Sequence, residues 1–130
     1  MAAPPPEPNE TELLLLKCFW SEGDLSAREV QARIGDQMGW TGSTTRTVLE
    51  RMRAKGLIGR RDVHGMAVYS PSQPKTQVIG ALVRRLSSLL DLDRPLPAAA
   101  FTGSQLLDAE DIAALENLLA QPTEADDERG

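Results

Sequence analysis

Four local signals in a fixed order constrain what this chain can fold into. Residues 9–12 and 26–29 have the form of capping boxes, in which two side chains each bond the other residue's backbone amide at a helix start. The hydroxyl-rich residues 41–43 give a third helix start, and His64-Gly65 suits the turn of a hairpin. The chain is therefore expected to begin with three helices and to continue into two strands.

Glycine and proline stops bound the predicted elements, and apolar residues at helical spacing fill them. The clearest period follows Pro74 and gives the fourth helix. The predicted helices cover residues 10–21, 26–35, 43–55, 75–92 and the stretch between Asp108 and Pro122, and the predicted strands cover 57–62 and 66–69. This order predicts a mainly α fold with a small β-hairpin, a winged helix-turn-helix followed by C-terminal dimerisation helices.

Charge is unevenly distributed along the chain. The total is −5, yet residues 40–61 hold six basic side chains against the single acid Glu50 and so carry +5. All other residues together therefore carry −10. Because local potential outweighs total charge at short range, the basic stretch favours contact with a polyanion although the whole chain is acidic.

In a winged helix-turn-helix, the third helix enters the major groove of DNA. Its outer face is polar and has one arginine in its first half, Arg46, whose side chain is shaped to grip guanine O6 and N7. Neighbouring hydroxyl groups suit phosphate or base contacts, and the basic hairpin suits the DNA backbone or minor groove. The predicted DNA-binding residues are Ser43, Thr44, Arg46, Thr47, Arg51, Arg60, Arg61 and His64.

The leucine-rich stripes of the last two helices exceed what a small three-helix core needs. We expect them to pack against a second copy of the chain about a twofold axis, so that two reading helices address two half-sites. The predicted dimerisation residues are Val78, Ile79, Leu82, Val83, Leu86, Leu89, Leu90, Ile112, Leu115, Leu118 and Leu119.

These patterns divide the chain into four regions. The prediction is a disordered N-terminal arm over residues 1–8, a winged helix-turn-helix DNA-binding domain over 9–73, a helical dimerisation region over 74–122 and a disordered acidic tail over 123–130.

Several strings of residues resemble those of a known family. They include a Trp-x-x-Ser-Thr-x-x-Thr-x-Leu-x-Arg pattern at residues 40–51, Lys55-Gly56-Leu57 and Tyr69-Ser70-Pro71. Over residues 8–120 the chain resembles the penicillinase repressor family of the BlaI/MecI/CopY type. The resemblance implies a transcriptional repressor that binds a dyad of double-stranded operator DNA as a homodimer, and it matches Ser43, Thr44, Arg46 and Thr47 to the DNA-reading helix.

The resemblance also bears on induction. One branch of the family is inactivated by cleavage of an Asn-Phe bond after a membrane sensor is triggered. Phe101 matches the phenylalanine of that bond, but Ala100 stands in place of the asparagine. Ala100 and Phe101 are therefore a candidate proteolytic switch with a membrane sensor protease as partner, and the alternative is that Phe101 anchors the last helix in the core. A copper-binding Cys-x-Cys tail of another branch is missing, since Cys18 is the only cysteine.

Other functions find little support in the sequence. The longest apolar run, residues 13–16, is far short of the roughly 20 residues that cross a bilayer, and no signal-peptide pattern precedes it, so we expect a cytoplasmic protein without membrane insertion. With one cysteine, one histidine and no glycine-rich phosphate loop, we expect no metal, no cofactor and no enzymatic activity. The alternative to a repressor is a winged-helix module for protein contacts without specific DNA binding, and the basic stretch argues against it.

Overall fold

The first helix forms at the predicted capping box. In the computed structural model, which describes residues 6–121, the Asn9 side chain accepts a hydrogen bond from the Glu12 N–H at 2.8 Å, and the Glu12 carboxylate accepts one from the Asn9 N–H at 2.8 Å. Helix α1 spans Glu10–Glu22 and is capped by Gly23, whose φ is 92°. Most of the predicted N-terminal arm, and the whole predicted acidic tail, lie outside the described residues.

The second helix is longer than the sequence predicts. After strand β1 (Leu25–Ser26), it comprises an α-helical turn Ala27–Val30, a π-helical turn Gln31–Gly35 and a last turn Asp36–Met38, which together form helix α2, residues 27–38. The predicted end near Gly35 is wrong because Gly35 keeps right-handed helical angles. The helix ends at Gly39, which adopts the left-handed conformation with φ 73°.

The third helix and the hairpin form close to their predicted positions. Helix α3 spans Gly42–Lys55, strand β2 Ile58–Val63 and strand β3 Met66–Pro71. His64 and Gly65 both have positive φ, as the tight turn of a two-residue hairpin requires. Strand β1, which the sequence analysis missed, pairs antiparallel with β3 and gives a three-stranded sheet in the order β1-β3-β2.

These elements belong to the first of two compact units, Met1–Pro74 and Lys75–Gly130. Aliphatic side chains with two aromatic rings form the core of the first unit. Its buried apolar residues are Leu15, Leu16, Phe19, Leu25, Val30, Ile34, Leu49, Met52, Leu57, Ile58 and Tyr69. The predicted fold class, a mainly helical winged helix-turn-helix with a small hairpin, is confirmed.

The second unit has two helices joined by a short 3₁₀ helix. Helix α4 spans Lys75–Leu89, the 3₁₀ helix Ala98–Phe101 and helix α5 Ala109–Ala120. The predicted end of α4 at residue 92 is wrong because Asp91 takes the left-handed conformation, with φ 57°. No helix within residues 6–121 is long and apolar enough to cross a membrane.

Helices α4 and α5 are held together by an ion pair and by a close contact at a glycine. Lys75 Nζ donates to Asp111 Oδ2 at 2.8 Å and so ties the first turns of the two helices together. Gly80 is buried, and a Cβ atom at its position would overlap the Leu118 side chain. The missing side chain thus allows close approach of the two helices.

Candidate nucleic-acid interface

The outer face of α3 is the surface that the sequence analysis assigned to DNA. Buried Thr45, Leu49 and Met52 fix one side of the helix in the core, so the opposite side faces solvent. The four residues predicted to read DNA, Ser43, Thr44, Arg46 and Thr47, are all exposed. Within residues 6–121, no side chain forms a hydrogen bond or ion pair with Arg46, so its guanidinium has all its donors available.

Two depressions border Arg46. One is a shallow groove of about 440 Å³ along the outer face of α3, and the other is a cleft of about 150 Å³ between α2 and α3. The groove is lined by Ser43, Arg46, Thr47, Glu50, Arg51 and Ala54. The cleft is lined by Ala27, Arg28, Gln31, Gly42 and Arg46. Arg28, which the sequence analysis missed, thus borders the same cleft as Arg46, and no other described residue pairs with it. The sequence could have indicated Arg28, because it lies in the first turn of the second helix of the predicted helix-turn-helix.

Gln31 fixes the angle at which α3 meets α2. Its Oε1 accepts from the Thr45 hydroxyl, and its Nε2 donates to the Trp40 carbonyl at 2.7 Å. Gly35 leaves room for this arrangement, because a Cβ atom there would lie 2.9 Å from Thr45 Oγ1 and closer still to the Gln31 amide. The π-helical turn that contains Gln31 and Gly35 therefore positions α3.

The hairpin, or wing, presents its arginines already paired with carboxylates. Arg61 Nη2 donates to Asp24 Oδ2 at 3.0 Å, and Arg60 Nη1 lies 3.6 Å from Glu50 Oε2. His64 is exposed at the turn. The wing residues predicted to bind DNA thus lie together on one hairpin, but their two guanidinium groups are less available than that of Arg46.

Glu50 links α3 to the hairpin. The Tyr69 hydroxyl donates to Glu50 Oε2 at 2.7 Å, and Arg53 Nη1 donates to Glu50 Oε1 at 3.0 Å. The Tyr69 hydrogen bond is the main reason that the pKa of Glu50 lies below its ordinary value, and burial is the main reason that the pKa of Tyr69 is raised. The carboxylate thus stays ionised at neutral pH while it is bound on both oxygens.

The structure divides the predicted dimerisation residues into three groups. Val78, Ile79, Val83 and Leu115 are buried within the single chain. Leu82, Ile112, Leu118 and Leu119 are half-buried. Leu86, Leu89 and Leu90 are exposed, with relative accessibilities of 44%, 63% and 56%, and nearby Leu92 is 42% exposed. The three exposed members of the set, together with Leu92, are called the exposed leucine patch, and they are free to meet another chain.

The candidate cleavage residues lie in the 3₁₀ helix of the second unit. Ala100 is exposed, and its N–H donates to the Pro97 carbonyl at 2.9 Å. Phe101 is half-buried, and the 3₁₀ helix contacts α5. The bond between the two residues therefore lies in regular hydrogen-bonded structure.

Metal and thiol chemistry has little basis in the described part of the chain. Residues 6–121 contain no cluster of three or more histidine, cysteine, aspartate or glutamate side chains that would hold a metal ion. Cys18 is half-buried on α1, its Sγ lies 3.6 Å from Glu22 Oε2, and burial raises the pKa of the thiol. A thiol held in this way is less reactive than an ordinary one.

Comparison with known proteins identifies the family. The family model for the penicillinase repressor matches residues 9–121. The chain belongs to the penicillinase repressor family. The resemblance found in the sequence is thereby confirmed, and the chain is a member of a regulatory, DNA-binding family of transcriptional repressors whose members are typically dimers.

Other comparisons are more distant. No curated protein matches the repressor. A similar solved structure is that of a MarR family protein from Bacillus stearothermophilus, which is 22% identical, covers 86% of this chain and 70% of its own, and has a TM-score of 0.45.

Proposed function

We propose that the protein is a sequence-specific transcriptional repressor that binds a dyad operator in double-stranded DNA as a homodimer. The observation that carries this proposal is the unpaired Arg46 among exposed hydroxyl side chains on the first half of α3. A guanidinium with free donors can bond guanine O6 and N7 in the major groove, and Ser43, Thr44 and Thr47 can bond phosphate or base edges beside it.

Contacts to the DNA backbone would come from the basic residues around the reading helix. Arg51 lines the groove beside Arg46, and Arg28 lines the cleft on the other side of it. Within residues 6–121 neither arginine has an ion-pair partner. Arg60, Arg61 and His64 on the wing would add weaker contacts, because each of the two arginines is already paired with a carboxylate of its own. Such contacts supply affinity without sequence preference.

The exposed leucine patch is the dimer contact that we propose. It places Leu86, Leu89, Leu90 and Leu92 in a stretch of seven residues that begins in the last turn of α4 and continues just beyond it. Fully burying an exposed leucine side chain is worth roughly 1.5–3 kcal/mol. These leucines are about half exposed, so covering each one gains part of that free energy, and covering the patch with its symmetry mate is favourable. The buried members of the predicted set would support the contact from within the unit.

Release from DNA is the remaining step of the proposal. Cleavage between Ala100 and Phe101 by a protease that answers to a membrane sensor would detach α5, with its fully buried Leu115, from α4. The repressor itself would act in the cytoplasm, where its operator lies.

A mobility-shift titration tests the proposed function. The probes are a duplex from the promoter of the protein's own operon and a random duplex of equal length, each at two salt concentrations. We expect the promoter duplex to bind at least about 10³-fold more tightly, with two chains in each complex. Equal affinity for both duplexes would reject sequence specificity. Binding to neither would overturn the proposal and leave the protein-interaction module.

A further inference from the structure

Glu50 is the one acidic residue of α3, and it lies on the face proposed to meet DNA. A carboxylate in that position repels phosphates unless it bonds a cytosine amino group. Here both oxygens already have partners: Arg53 bonds Oε1, and Tyr69 and Arg60 lie at Oε2. Glu50 is therefore not arranged to read a base.

The network of Glu50 involves two of the six basic residues in the basic stretch. Arg53 lies 3.0 Å and Arg60 3.6 Å from its carboxylate, and all three side chains are partly exposed at the same surface. An arginine that keeps a carboxylate partner releases few counterions from DNA, because its charge is already compensated. Arg46 and Arg51, on the same helix face, have no such partner within the described residues.

We propose that Glu50 is a specificity-determining positioning residue, which withholds Arg53 and Arg60 from DNA phosphates and so limits the affinity for random sequence. The inference rests on the proposed function. Binding to random DNA depends almost entirely on phosphate contacts, whereas operator binding also has base contacts through Arg46. Withholding two arginines therefore lowers random binding more than operator binding and raises the ratio between them.

The test is Glu50→Gln, which removes the charge and keeps an oxygen that can accept from the Tyr69 hydroxyl. We expect random duplex to bind at least about tenfold more tightly, with the salt dependence of log K steeper by about two units, one for each arginine released. The ratio of operator affinity to random-duplex affinity should fall accordingly. A merely structural role for Glu50 would instead loosen the wing and weaken binding to both duplexes.

Glu22→Gln is the matched control, because it makes the same charge change and also frees an arginine, Arg33, from an ion pair. Neither Glu22 nor Arg33 lines the groove or the cleft beside Arg46. We expect it to keep the salt dependence of the unmodified protein. Thermal unfolding of each variant shows whether the fold is retained.

Arg60→Ala in both backgrounds completes the experiment. We expect it to change the salt dependence little in the unmodified protein and by about one unit in the Glu50→Gln protein. If Glu50→Gln leaves both the random affinity and the salt dependence unchanged while the operator still binds, this inference is overturned and the proposed function stands. If the unmodified protein binds no duplex, the proposed function itself fails.

Discussion

The contribution of an arginine to DNA recognition depends on whether its guanidinium already has a partner. Arg46 and Arg60 belong to the same basic stretch, but only Arg60 lies beside carboxylates, those of Glu50 and Asp62. A free guanidinium gains charge-assisted hydrogen bonds on binding DNA, whereas a paired one must first give up or share those it has. We therefore propose that Arg46 is the residue that discriminates between sequences.

Replacing Arg46 with alanine tests that assignment. We expect Arg46→Ala to cost about 1–3 kcal/mol of binding free energy at the operator and less on random duplex, because a base contact is lost. Fluorescence anisotropy with labelled duplexes measures both. Arg51→Ala is the control, and it should weaken both duplexes by similar factors. An equal loss on both duplexes for Arg46→Ala would reassign Arg46 to a phosphate contact.

The exposed residues of α3 could be predicted from the sequence, because a helix with buried residues at regular spacing leaves the opposite face to solvent. Residue partners could not be predicted in the same way. The Tyr69–Glu50 hydrogen bond spans 19 positions and the Arg61–Asp24 pair spans 37, so neither leaves a local pattern. The role of Gln31 was also hidden, since it depends on how α2 and α3 meet.

Local capping chemistry accounts for the helix starts that the sequence predicted well. The helix starts at Asn9, Ser26 and Asp108 each form the reciprocal hydrogen bonds of a capping box. Strand β1 and the π-helical turn have no such local cause. The two-residue strand β1 forms because β3 lies beside it. Gly35 in the sequence predicts a helix end, and only its packing against Thr45 explains why a glycine stands inside the helix.

The pairing of Lys75 with Asp111 gives a prediction about pH. The Lys75 hydrogen bond is the main reason that the pKa of Asp111 lies below its ordinary value of 3.8. A lowered pKa means that the pair stabilises the folded state fully above that ordinary value and loses its contribution as the pH falls through the folded-state pKa. Asp111→Asn should therefore cost about 1 kcal/mol of unfolding free energy at pH 7 and much less near pH 2.

Urea unfolding followed by circular dichroism at the two pH values measures this effect. Glu116→Gln is a suitable control, since it removes an exposed charge from the same helix, and its effect at pH 7 should be small. If Asp111→Asn has the same cost at both pH values, the ion pair is not the origin of the stabilisation.

The exposed leucine patch allows dimer assembly to be tested separately from folding. Leu89 is 63% exposed, so Leu89→Glu costs a single chain little but buries an unpaired charge in a dimer. We expect the unmodified protein to sediment as a dimer at micromolar concentration and Leu89→Glu as a folded monomer. Leu115→Glu, at a fully buried position, should instead unfold the second unit. A dimeric Leu89→Glu protein would exclude the patch as the contact.

A chain ended after Ala100 tests whether cleavage at that point releases DNA. The truncation removes three supports of α4: the buried Leu115, the Asp111 partner of Lys75, and the Leu118 and Gln121 carbonyls that accept from Arg84 Nη2 at 2.8 and 2.7 Å. Because α4 then loses its packing partner, we expect the exposed leucine patch to lose its dimer contact.

Monomeric DNA-binding units would then bind half-sites one at a time. They would lose the high effective concentration that a dimer gives the second unit, so operator affinity should fall by a factor of about 10² to 10⁴. A chain ended after Gln121, which retains α5, should still dimerise and bind the operator. The binding of random duplex by the shorter chain shows whether its first unit is intact, since Arg46 and the rest of α3 are unchanged. Sedimentation and operator titration of the two truncated chains decide the question. If the chain ended after Ala100 still dimerises and binds as tightly as the full chain, α4 alone holds the dimer, and cutting beside Phe101 would not release the operator.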